Sequence, residues 1–205
     1  MSLARRHGPG ATAAGAALLL LAPASAHAHL VTTGLGPLYD GIGHLLASPE
    51  DLVPVMAMAL LAGLGGAPSG RWALFVLPLA WAAGGLAGYR VGAPSSPALL
   101  GAASFLALGI LVAVGRSLSP GAVAGLAGVL GLLHGWLNGA GIAAAGREAL
   151  ALAGITAAVF VIMALVAGLV VSLRAPWTRI AVRVAGSWVA ATGLLMLGWI
   201  LSGRG

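Results

Sequence analysis

Long apolar runs separated by short polar breaks dominate the chain from end to end. The first run, 11–22, follows Arg5 and Arg6 and precedes Pro23-Ala24-Ser25-Ala26. A charged start, an apolar stretch and a small-residue A-x-A site, in that order, predict a signal peptide over 1–26. A second A-x-A at Ala26-His27-Ala28 offers cleavage at 28 instead. The alternative is an uncleaved first helix, for which the run is short. No twin-arginine consensus follows the arginine pair, so Sec export is the expected route.

Six further runs are long enough to cross a bilayer: 50–66, 72–89, 97–115, 120–138, 149–173 and 180–201. The stretch 35–47 is too short and too polar to span, so a short interfacial or re-entrant helix is expected there. The glycine-rich stretch 138–146 reads as a connector. The expected fold is an all-α membrane protein, a compact bundle of about six transmembrane helices behind a signal peptide. Its divisions are 1–26, an outer-side segment 27–49, and a membrane domain 50–205.

Composition agrees with this pattern. Hydrophobic residues make up 60% of the 205 positions and charged residues 7%, too little charge to clothe a soluble domain. Cysteine is absent, which excludes disulfides and thiolate metal sites. Lysine is absent too, so no lysine chemistry is available. The net charge of +6 comes from arginines scattered between apolar runs, which points to topology and not to nucleic acid.

With the processed N-terminus outside, the inner loops hold Arg71, Arg116, Arg174, Arg179 and Arg183, against Arg90, Arg147 and Arg204 outside. That is the positive-inside direction. All four acids, Asp40, Glu50, Asp51 and Glu148, then fall on the outer side. Small residues crowd every span and predict close helix packing. Trp72, Trp177 and Trp199 lie near span ends and read as interface anchors.

Few polar side chains need an explanation, because ionisable groups are costly in lipid. Asp40 and His44, four apart, share one face of a helix, either as two ligands of one divalent ion or as a local hydrogen-bonded pair. Ser48-Pro49-Glu50-Asp51 has the form of a helix start: serine at the N-cap, proline at N1 and acids in the first turn. Capping accounts for most of Glu50 and Asp51 without a ligand. His134 lies deep in an apolar run with Asn138 one turn on, and serves either as an interhelical hydrogen-bonding group or as a ligand. After cleavage at 26, His27-Ala28-His29 presents an amine, two amides and an imidazole, a donor set suited to Cu²⁺ or Ni²⁺; cleavage at 28 leaves His29 to chelate through amine and ring.

Three features together resemble the HupE/UreJ membrane proteins, in a divergent second branch. They are Gly34-Leu35-Gly36-Pro37-Leu38-Tyr39-Asp40-Gly41-Ile42-Gly43-His44, then Ser48-Pro49-Glu50-Asp51, then Leu133-His134-Gly135 with Asn138-Gly139. The resemblance covers most of the chain after residue 27. It implies a nickel, sometimes cobalt, permease, or a hydrogenase or urease accessory role. It points first to Asp40, His44 and His134 as metal-facing residues, and more weakly to Glu50 and Asp51. Asp and His are adjacent in the better-known branch, whereas three residues separate them here.

Two functions are therefore expected. The first is a divalent transition-metal permease of the bacterial cytoplasmic membrane, with Ni²⁺ as cargo and no tightly bound cofactor. The second is a non-transporting structural or accessory subunit of a larger membrane complex. The partners are the bilayer, a metal ion and, in the second case, other membrane proteins, with no nucleic acid. Without a nucleophile–base pair or paired carboxylates within the spans, no enzyme is expected.

Overall fold

The computed structural model describes residues 32–203. The expected signal peptide, its cleavage sites, and His27 and His29 lie outside the described residues. Among the described residues seven helices follow one another: α1 (Pro37–Ala47), α2 (Pro49–Leu64), α3 (Ala67–Val91), α4 (Pro97–Val114), α5 (Pro120–Ala144), α6 (Leu150–Ser172) and α7 (Pro176–Leu201). All but α6 carry proline in the first two positions, where its missing N–H costs nothing and its fixed φ favours the helix. Five helices, α3 to α7, are long and apolar enough to cross a membrane, and the pair α1–α2, bent by 75°, supplies a sixth element. The protein is an all-α, multi-pass membrane protein.

The helices place the acids and most arginines at opposite ends of the bundle. The ends carrying Glu50, Pro97 and Ala144 form an acidic end, and the termini near Leu64, Val114 and Pro176 form an arginine end.

Glycine explains the tightest packing. Gly131, Gly135 and Gly139, spaced by four on α5, face the α3 backbone at Leu77, Trp81 and Gly85, and any Cβ there would collide with it. Gly84 and Gly88 of α3 return the fit against Leu132 and Trp136. This corrects the expected connector at 138–146, since the helix runs to Ala144. Gly139 serves close approach, not a turn. By contrast, Gly115 ends α4 in the left-handed region at φ 64°, returning its N–H to the Leu111 carbonyl at 3.2 Å.

Two groups of helices result. α1, α2, α3, α5 and α6 form a body around an apolar core that Leu108 and Val112 of α4 and Val182 of α7 also join. α1 lies across the first turns of α6, where Gly41 meets the Ala151 backbone and Gly154 meets Leu38. α4 and α7 form an antiparallel pair through Gly109 on Ala190, Gly193 on Leu106 and Gly186 on Val112. The pair reaches the body through α2 and, more lightly, α5. Within α7 only Val182, Gly186 and Gly193 are buried.

The sequence puts Arg179 before the last span and Arg183 in the same inner loop. In the structure α7 begins earlier, at Pro176, and both arginines are helical. Their long stems let the guanidinium groups reach carbonyls left open at helix C-termini: Arg183 Nε donates to Ala113 at 2.8 Å, and Arg179 Nη2 to Leu64 at 3.3 Å.

Candidate cation site

The acidic end opens into a cavity of about 780 Å³ between the body and the α4–α7 pair. Its body wall includes His44, Glu50, Asp51, His134 and Asn138, and its far wall Pro97, Ala98, Gly101 and Met196. His134 lies ten residues before the end of α5, so the cavity reaches about 15 Å below the helix ends.

Asp51 is the centre of the site. It is 3% exposed, yet it lies in the first turn of α2, where capping accounts for an acid without a ligand. Two side chains from one face of α5 hold it. His134 Nδ1 lies 2.9 Å from Oδ1, and Asn138 Nδ2 donates to Oδ2 at 2.8 Å. The four-residue spacing of His134 and Asn138 thus delivers both groups to one carboxylate and does not join them to each other. The capping expectation for Asp51 is corrected, and so is that for Ser48. The Ser48 hydroxyl makes no cap bond; it lies 3.3 Å from His44 Nδ1. Pro54 also has no N–H to give the Glu50 carbonyl one turn back, which leaves an acceptor beside the exposed Glu50 side chain.

His134 is buried and fully engaged. Ser104 Oγ of α4 lies 2.7 Å from the Gly101 carbonyl and 2.9 Å from His134 Nε2, and its one proton serves one or the other. Trp81 stacks on the ring with centroids 5.5 Å apart. With one ring nitrogen toward Asp51 and the other toward Ser104, neither is open to a cation without breaking a bond. His134 orients Asp51, as an imidazole beyond the ligand shell does in many metal sites. Ser104 carries no sequence signal of its own. Trp81 could have been separated from the anchoring tryptophans only by its mid-span position.

His44 is open where His134 is not. Its Nε2 lies 3.9 Å from Asp51 Oδ2, too far for a hydrogen bond. The Asn138 Oδ1 is buried and has no partner among the described residues.

Asp40 is not part of this group. The i, i+4 spacing left open a shared ion or a local hydrogen-bonded pair with His44; the Asp40 carboxylate turns instead to the rim. It accepts from the Thr33 amide at 2.6 Å, the Thr33 hydroxyl at 2.7 Å and Arg147 Nη1 at 3.0 Å. Arg147 Nη2 also donates to Thr32 at 2.6 Å, and the Arg147 carbonyl accepts from the Tyr89 hydroxyl at 3.0 Å. The cluster ties the chain entering α1 to the loop before α6. Among the described residues, no three His, Asp or Glu side chains are arranged to enclose a metal ion.

A family model described as HupE / UreJ protein matches residues 16–196, and the chain belongs to that family. No curated protein and no solved structure matches the chain.

Proposed function

From that membership we propose that the protein is a permease for a divalent transition-metal cation, with Ni²⁺ preferred and Co²⁺ next. It sits in the bacterial cytoplasmic membrane with its acidic end and mature N-terminus outside. The family is associated with nickel and cobalt transport or with accessory roles. One observation carries the choice of transport: a buried carboxylate at the foot of an open cavity, with an imidazole nitrogen 3.9 Å from its Oδ2. Metal–donor bonds of about 2.1 Å let one ion touch two donors up to about 4.2 Å apart, so Asp51 and His44 can share a cation.

The remaining positions belong to water and to neutral oxygens, with the unpartnered Asn138 Oδ1 as a candidate. An incomplete protein shell suits cargo. An ion enclosed by dedicated ligands would not leave, whereas conduction needs binding weak enough for release. Imidazole and carboxylate accept Ni²⁺, Co²⁺ and Zn²⁺ alike, so the donor set defines a class and family membership orders it.

The test is uptake of radioactive Ni²⁺ at nanomolar metal by cells lacking the gene, with and without a plasmid copy. Restored uptake supports the reading, and equal uptake in both strains contradicts it. The absence of a three-ligand group among the described residues favours the second reading, an accessory subunit. A fixed set of co-purifying membrane proteins, with no metal bound, would establish that reading instead.

A further inference from the structure

We infer that the α4–α7 pair is the moving part of the transporter, and that the structure is its outward-open state. This rests on the permease reading and adds how the cation leaves. The cavity stops at His134. Below it, toward the arginine end, the space between the two helix groups is filled by buried apolar side chains, among them Leu108 and Val112 of α4 and Val123 and Leu130 of α5. These side chains form an apolar layer between the cavity and the Arg179–Leu64 contact at the arginine end, so an ion at Asp51 faces a hydrocarbon seal that it cannot cross. Release inward requires the seal to open, and the packing shows where it can part.

Within the pair, α4 and α7 meet backbone to backbone at Gly109, Gly186 and Gly193, so they move as one unit. Within the body, α3 and α5 are locked in the same way along Gly131, Gly135 and Gly139. The seam between the groups has no comparable glycine contacts. It is crossed by two side-chain hydrogen bonds, Ser104 Oγ to His134 Nε2 at 2.9 Å and Arg179 Nη2 to the Leu64 carbonyl at 3.3 Å. The first lies at the cavity floor. The second closes the arginine end, is exposed, and is near the limit of hydrogen-bond length. Rocking of the pair about the Ser104–His134 level would close Pro97 and Met196 over the cation while drawing Arg179 from Leu64. That is rigid-body alternation about a fixed site. A cation at Asp51, touched also by the Met196 thioether of the far wall once the mouth closes, gives the closed-mouth state the extra contact that any shift in population demands.

The experiment uses the absence of native cysteine. Leu64→Cys with Arg179→Cys, joined by a short bis-methanethiosulfonate reagent from which each thiol displaces methanesulfinate to form a reducible disulfide, locks the arginine end. Reconstituted in vesicles, the joined protein should lose Ni²⁺ transport by at least about tenfold, keep Ni²⁺ binding from the acidic side, and recover on reduction. Transport at an unchanged rate after complete joining overturns the proposal. Untreated protein that moves no Ni²⁺ refutes the permease reading itself, a separate result. A single Leu108→Cys reporter provides a second route should the double variant not fold. An impermeant maleimide on the arginine-end side should label it several-fold faster with Ni²⁺ outside, and faster again with Arg179→Ala. Labelling indifferent to both overturns the moving seam.

Discussion

Asp40 and Asp51 stand eleven positions apart, and both are buried, at 7% and 3% exposure. Their surroundings assign them opposite roles. Asp40 faces an arginine and a threonine that donates twice, so its charge is answered and its lone pairs are occupied. Such a carboxylate is a fastener, and a cation would have to displace Arg147 to reach it. Asp51 is held by an imidazole and an amide, with no arginine, and His44 stands off at 3.9 Å. That arrangement fixes the carboxylate in place and leaves negative character facing the cavity. Burial alone therefore does not mark a cation site. The proposed cation site is distinguished by a buried acid whose partners orient it without supplying a permanent full positive charge.

Substitutions along this contrast should grade cation binding. Asp51→Asn keeps shape and removes charge, and Ni²⁺ uptake by cells should fall more than about 100-fold, measured against equal amounts of protein in the membrane. His44→Ala removes a direct donor, and Ni²⁺ affinity measured by calorimetry should fall on the order of 10- to 100-fold. His134→Gln should cost about tenfold, since glutamine can still donate to Asp51 but loses the imidazole held by Ser104 and Trp81. If His134 were a direct ligand and His44 not, the order of the last two would invert. Asp40→Asn should leave Ni²⁺ affinity unchanged while lowering thermal stability, read as an earlier melting transition.

The sequence made the membrane elements legible because each apolar run must satisfy its own backbone in lipid, and run length then sets the span. Helix ends were less legible. At the end of α5, glycine marks both turns and close approach: Gly139 meets the α3 backbone within the helix, whereas Gly146, at φ 64°, follows its end. Arg179 and Arg183 looked like loop charges, but long stems let a helical arginine reach a neighbour's last carbonyl.

In the site, His134 and Asn138 were legible as one polar face in an apolar run. Their common target was not, because Asp51 lies on another helix and its place in the first turn of α2 already explained it. The Asp40–His44 spacing left its reading open for the same reason. A helix places residues on one face, but partners from other segments, here Thr33 and Arg147, decide where a carboxylate turns. The seam between the body and the α4–α7 pair had no counterpart in the sequence, since small residues are dense in every span and only their pairing separates tight contacts from loose ones.

The central claim is that Asp51, and not Asp40, meets the cation. Equilibrium binding of Ni²⁺ to purified wild-type, Asp51→Asn and Asp40→Asn proteins tests it most directly. Wild type and Asp40→Asn should bind saturably with matching affinity, and Asp51→Asn should not bind. Binding that survives Asp51→Asn, or is lost with Asp40→Asn in a folded protein, would contradict it.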